Sequence, residues 1–196
     1  MYEVTGSSFS GLFSLNSDSK ECQLSFNTFN GGMRIAVFRG KGRPDPNISV
    51  DPSLRLTILK ICSQVIKAQP GYKMFLNLFS WNPQTKKREE SCTITIGIDE
   101  NSVFYIEVRA ANQAPAMFPF KGNRMMEVGT DNQNNGQRSL VHFEAFIDFV
   151  KNQWPVATLL SKTSIGTQVK SKSSGSNAST GSSSNYSSAG SEDDIY

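Results

Sequence analysis

The sequence has little with which to do covalent or metal chemistry. Its single histidine, His142, sits in the apolar stretch His142-Phe143-Glu144-Ala145-Phe146. Its three cysteines, Cys22, Cys62 and Cys92, lie 40 and 30 residues apart with no CxxC spacing. A zinc site needs about four thiolate or imidazole ligands converging on one point, so neither a metal nor a cofactor is expected. The thiols read instead as small apolar residues in a reducing compartment. No GxxxxGK[ST] or GxGxxG precedes a helical pattern, so Gly31-Gly32 and Gly40-Lys41-Gly42 are not phosphate-cradling loops. Asp99-Glu100 and Asp193-Asp194 are paired acids, but one pair lies in a turn and the other near the C-terminus. Carboxylates that act as acid and base or share a metal must be held rigidly, so an enzyme is not expected. No run approaches the 18 apolar residues of a membrane span. Met1-Tyr2-Glu3-Val4 also lacks the basic and apolar regions of a signal peptide.

What is present divides unevenly over the 196 residues. From Ser161 onward there are 13 Ser and 4 Gly and no Leu, Phe or Trp, while all 13 Phe and both Trp fall earlier. Such a tail cannot bury enough apolar surface to offset the entropy of ordering. The expected organisation is therefore a folded domain over 1–160 and a Ser/Gly-rich flexible linker over 161–196. The domain holds 17 Lys+Arg against 14 Asp+Glu, a mild basic excess, and the tail ends in the acidic Ser191-Glu192-Asp193-Asp194-Ile195-Tyr196.

Two amphipathic helices stand out within the domain. Asp51-Pro52 supplies an N-cap and a first-turn proline. Leu54, Ile58, Ile61, Cys62 and Val65 then recur at spacings of three and four until Pro70-Gly71. A second helix is predicted from about Ser139, with Phe143, Phe146, Ile147, Val150 and Trp154 on one face and Pro155 as its end. The remainder has strand character: Gln23–Phe29 and Met33–Arg39 around Asn30-Gly31-Gly32, then Tyr72–Trp81, Ser91–Ile98 and Val103–Arg109. Weaker strands fall at Ser8–Leu15, Met117–Lys121 and Arg124–Val128. Hairpin-length links make the sheets antiparallel. The order of strands, helix, strands, helix predicts an α+β fold of curved antiparallel sheets with two helices. Two ββββα units fit it, and an oligonucleotide-binding barrel with added helices is the alternative.

The stretch Tyr72–Trp81 is the most informative. Alternation by two puts Met74, Leu76 and Leu78 on one side and Lys73, Phe75, Asn77, Phe79 and Trp81 on the other. The second row mixes a cation, an amide and three aromatics, which suits flat, charged ligands. Unpaired bases stack on such rings at roughly 1–3 kcal/mol each while cations hold the phosphates. The competing reading is that this row faces a second layer of core. Arg34 and Phe38 share a face in a neighbouring strand, as do Tyr105 and Arg109 in another. Basic segments flank them at Arg39-Gly40-Lys41-Gly42-Arg43 and Lys86-Lys87-Arg88. The candidate nucleic-acid contacts are therefore Arg34, Phe38, Arg39, Lys41, Arg43, Lys73, Phe75, Phe79, Trp81, Lys86, Lys87, Arg88, Tyr105 and Arg109.

In its C-terminal Glu192-Asp193-Asp194-Ile195-Tyr196 after a low-complexity linker, the chain resembles bacterial and phage-type single-stranded DNA-binding proteins. Their acidic tips end in Phe, where this chain has Tyr196. The resemblance implies a tip that recruits replication proteins such as a polymerase, helicase, primase or nuclease, through Glu192, Asp193, Asp194, Ile195 and Tyr196. The domain's element order is similar to the Whirly and transcriptional-coactivator folds, whose curved sheets bind unpaired strands and which commonly oligomerise. The expectation is a non-catalytic protein that coats single-stranded DNA without sequence preference, in phage or plasmid replication, recombination and repair. It would be cytoplasmic, in the host cytoplasm if viral, with no membrane association and as a possible homo-oligomer. An RNA-binding or transcription-regulating module, or an adaptor using the aromatic face as a protein interface, stand as alternatives.

Overall fold

A computed structural model describes residues 12–161 except 20, 30, 41–43, 112, 122–128 and 130–133. It contains two successive ββββα units. Strands β1 (Phe13–Asn16), β2 (Cys22–Phe29), β3 (Gly32–Arg39) and β4 (Asn47–Val50) form one antiparallel meander, followed by α1 (Pro52–Val65). Strands β5 (Lys73–Asn82), β6 (Lys87–Ile98), β7 (Phe104–Ala110) and β8 (Ala116–Pro119) form the second, followed by α2 (Asn135–Asp148). The sheet orders β1-β2-β3-β4 and β5-β6-β7-β8 are sequential, so each strand pairs with its chain neighbour. The architecture is α+β, as the element order predicts. The described residues form two open sheets and no closed barrel, which corrects the oligonucleotide-binding alternative.

Local chemistry explains most boundaries. The Asp51 carboxylate accepts from the Leu54 N–H at 2.7 Å and caps α1, whose buried face is Ile58, Ile61, Cys62 and Val65. Gly31, at φ 71°, makes the β2–β3 turn that a side chain would strain. Asp99 accepts from the N–H groups of Asn101 and Val103, both at 2.8 Å, and so turns β6 toward β7. Strand β4 was not evident in the sequence, because it is a run of only four residues just after Pro44 and Pro46 and just before Asp51-Pro52. It completes the first four-stranded unit. The strand expected at Arg124–Val128 and the start of the one at Ser8–Leu15 lie outside the described residues.

The second helix departs from expectation at both ends. It begins at Asn135, with Asn134 accepting from the Gly136 and Gln137 N–H groups, four residues before Ser139. Nor does Pro155 end it. The chain passes through a π-helical turn, Phe149–Gln153, and helix resumes over 154–161. Pro155 has no N–H to offer the carbonyls one turn back. Arg55 of α1 meets that need: its Nη1 donates to the Val150 carbonyl at 3.1 Å and the Lys151 carbonyl at 3.2 Å. The wider turn and a guanidinium from the other helix together let the helix run through the proline.

Both units share one interior. Leu24, Phe26 and Ile35 from the first sheet, Ile94, Ile96, Ile106 and Val108 from the second, Ile58 of α1 and Phe146 of α2 all line the same small apolar cavity. Helix α2 spans the two sheets. Phe143 stacks on Phe104 at 4.5 Å between ring centroids, whereas Phe146 meets Phe26 at 4.9 Å and Phe149 meets Phe13 at 5.3 Å. Trp154 is fully buried against Phe26 and donates its indole N–H to the Asn27 carbonyl at 2.9 Å. No helix among the described residues is long and apolar enough to cross a membrane.

Candidate nucleic-acid interface

The alternation read from β5 is realised. Met74, Leu76 and Leu78 pack on the core, and the opposite row faces outward, with Phe75 67% exposed, Phe79 45% and Trp81 65%. Exposed rings of this size in a line are the exception on a soluble surface. Among the described residues no helix or second layer seals them, so the alternative that the row lies under core does not hold for these three.

The strand register sets what stands beside them. Lys73 lies opposite Gly97, which lies opposite Tyr105; Phe75 opposite Thr95, then Glu107 and Met117; Asn77 opposite Thr93, then Arg109. Past a bulge at Leu78/Phe79, Phe79 faces Glu90 and Trp81 faces Arg88. The outer face of the second sheet thus gathers Lys73, Phe75, Phe79, Trp81, Arg88, Tyr105 and Arg109. Beyond the bulge every described side chain of the β5–β6 ribbon is exposed, so Trp81, Lys86, Lys87 and Arg88 project from the sheet. The Arg88 guanidinium sits 4.1 Å from the Phe79 ring centroid, a cation–π contact that holds ring and cation together.

Acidic residues share this face. Glu107 lies 3.8 Å from Arg109, whose side chain is 61% exposed, and Glu90 Oε1 accepts from the Thr93 hydroxyl at 2.6 Å. The face is consequently aromatic and amphoteric, not uniformly basic. Tyr105 is 8% exposed, with its hydroxyl lying over Gly97: a Cβ on Gly97 would stand 2.8 Å from it and 2.9 Å from Lys73 Cβ. Burial raises the Tyr105 phenol above its usual pKa, with the Glu107 and Asp99 carboxylates adding to the rise. Tyr105 is floor, not a free stacking ring.

The sequence also grouped Arg34, Phe38 and Arg39 with this platform, and the structure separates them. They belong to β3 in the first sheet, and none lies beside β5. Arg34 is half-buried, 6.0 Å from the Phe29 ring, and its Nε is buried without a partner. Phe38 is half-buried opposite Gln23. Arg39 is committed to structure: its Nη2 donates to the Ala114 carbonyl at 2.9 Å, tying the first sheet to the β7–β8 connection. A second tie, Lys121 to Asp18 at 2.9 Å, joins the same two units. Lys41, Arg43 and the tip Glu192, Asp193, Asp194, Ile195 and Tyr196 lie outside the described residues.

Sequence reasoning missed Met117, 45% exposed at the end of the Phe75 row, because β8 is too short to phase from its own pattern. It also missed Thr93 and Thr95, which carpet the space between the aromatic row and Arg109. Among the described residues no three His, Cys, Asp or Glu side chains converge. His142 is buried and its pKa is lowered by that burial, while burial pushes the Cys62 thiol up to about 12. The Cys92 thiol is raised to about 11, again by burial first, with Glu90 and Asp45 contributing. No family model, curated protein or solved structure matches the chain.

Proposed function

We propose that this protein binds single-stranded DNA without sequence preference on the outer face of its second sheet, and coats unpaired DNA during replication, recombination or repair. The observation that carries the reading is the exposed row Phe75, Phe79 and Trp81 on one strand, opposite the core, with cations at both ends. Bases of a single strand can stack on successive rings because every base has a π face. Lys73, Arg88 and Arg109 meet phosphates, and the ribbon's Lys86 and Lys87 extend the cationic reach. The acids Glu90 and Glu107 on the same face disfavour a continuous phosphate track, so stacking supplies more of the affinity than charge. The protein acts in the cytoplasm, that of the host if it is viral. Its C-terminal tip, by its resemblance to the acidic tips of single-stranded DNA-binding proteins, docks replication proteins through Asp193, Asp194, Ile195 and Tyr196.

The test uses the two tryptophans, one 65% exposed and one fully buried. Oligo-dT should quench the Trp81 share of the emission and leave the Trp154 share, and Trp81→Phe should abolish the change. Three phosphate contacts on a single strand give a slope of log K against log salt near −2, at roughly 0.7 per contact. No quenching and no mobility shift at low salt retires the reading. Tighter binding of oligo-U than oligo-dT redirects it to RNA, since discrimination between the two rests on the 2′-hydroxyl.

A further inference from the structure

The strand that carries the aromatic row is also a sheet edge. In the order β5-β6-β7-β8, β5 has a neighbour on one side, and no described residue bonds to the other side of Lys73–Asn82. The Tyr72 carbonyl accepts from the Ile98 N–H at 2.9 Å. Antiparallel bonding alternates along a strand, so Lys73, Phe75 and Asn77 turn their N–H and C=O groups outward. Long open edges are normally blunted by proline, shortness or inward charge. Strand β5 is 10 residues long, and after Lys73 it holds no charged residue and no proline. Its core-facing row is also incompletely covered. Met74, Leu76 and Leu78 are only half-buried, whereas Ile94, Ile96, Ile106 and Val108 on the next two strands are at most 4% exposed.

We propose that β5 pairs antiparallel with β5 of a second copy of this chain, about a twofold axis at Asn77. The occupant is read from the strand, which is its own complement. Centred on Asn77, the outer face sets Phe75 against the partner's Phe79, Lys73 against the partner's Trp81, and Asn77 against the partner's Asn77. The inner face sets Leu76 against the partner's Leu78. Rings meet rings, a cation meets an indole face, and no like charges oppose each other. Shifting the axis by half a residue would pair outer with inner residues. Shifting it by a whole residue strands one end of the row. Only the Asn77 axis uses every residue from Lys73 to Trp81.

The pairing joins two four-stranded sheets into one of eight strands. Two aromatic rows then lie side by side on one outer face, which lengthens the platform for an unpaired strand. The pairing itself needs no nucleic acid, so it is tested without any and stands or falls apart from the proposed function.

Sedimentation velocity of the full chain at micromolar concentration should show a dimer, or an assembly of dimers. Asn77→Pro should break it. Proline is tolerated on an edge strand where the N–H points away from the sheet, and circular dichroism checks that the variant is folded. In a Cys22→Ser background, Asn77→Cys should give a covalent dimer under mild oxidation, since facing residues of a hydrogen-bonded pair lie about 5.5 Å apart at Cα, within disulfide reach. Phe75→Cys and Phe79→Cys should not cross-link alone but should cross-link to each other when mixed. This cross-linking pattern decides the matter even if Asn77→Pro does not fold. A monomer at all concentrations, an assembly unaffected by a folded Asn77→Pro, or cross-linking at 77 no stronger than at 75 and 79 each overturns the proposal.

Discussion

Replacing Phe75 by alanine separates binding from folding more cleanly than any other single change. The ring is 67% exposed, stands over Thr95 and packs on nothing in the interior. Surface truncations of that kind shift stability by about 0.5 kcal/mol or less, so the urea midpoint should hardly move. Its loss as a stacking surface should cost roughly 1–3 kcal/mol of affinity for unpaired DNA. At 1.4 kcal/mol per factor of ten, that is a weakening of about 5- to 140-fold. Phe79→Ala should cost at least as much, because its ring also holds the Arg88 guanidinium 4.1 Å away. The assay is fluorescence anisotropy of end-labelled oligo-dT titrated with each variant, with urea unfolding and sedimentation run alongside. Sedimentation matters because Phe75 also belongs to the proposed dimer seam, and an association defect must be told apart from a stacking defect. Full affinity in Phe75→Ala and in the double variant Phe75→Ala/Trp81→Ala would refute the stacking platform. A drop in affinity matched by an equal drop in stability would refute it too.

Four further outcomes follow from the structure. Arg55→Met removes the donor to the Val150 and Lys151 carbonyls and should destabilise by about 1–3 kcal/mol, read from the urea midpoint, with oligo-dT binding at saturation unchanged. Gly97→Ala drives a methyl to within 2.8 Å of the Tyr105 hydroxyl and should cost about 1–3 kcal/mol; adding Tyr105→Ala should recover part of the loss in a double-mutant cycle. His142 is held neutral by burial, with its pKa lowered from 6.5. Below about pH 6.5 the unfolded chain therefore binds a proton that the folded chain refuses. Stability should fall as pH drops through that window, and His142→Asn should flatten the fall in pH-dependent urea melts. Finally, Cys62 and Cys92 are buried with raised pKa values and Cys22 is half-buried, so Ellman's reagent at pH 8 should titrate one thiol quickly and the other two only on unfolding.

The parts legible in the sequence were those fixed by local chemistry. Asp51-Pro52 and the spacing from Leu54 to Val65 give α1 nearly to the residue, because capping and periodicity act within a few positions. The alternation in β5 gave the exposed row for the same reason. What failed depends on distant partners. Pro155 is a reliable helix stop in isolation, and nothing in its neighbourhood says that Arg55, a hundred residues earlier, would take up the freed carbonyls. Arg39 looked like a loop cation until the Ala114 carbonyl came within 2.9 Å of it. Tyr105 alternates with the outer row, yet Gly97 beside it lets the ring lie down and be covered. Strand β4 was hidden by its shortness and the prolines around it, and with it the assignment of β3 to a different sheet from β5.

Because α2 and the helical turns after it furnish walls for the first sheet, the two halves of the chain are not modules that could be traded or expressed singly. A polypeptide ending near Gln69 would lack Phe146, Phe149 and Trp154 and leave Phe13 and Phe26 facing water, and one starting there would expose the aromatic side of its last helix. Made together in one cell, the same two fragments should find each other and reconstitute the whole, a split-protein pair created by a helix that lies across the repeat boundary.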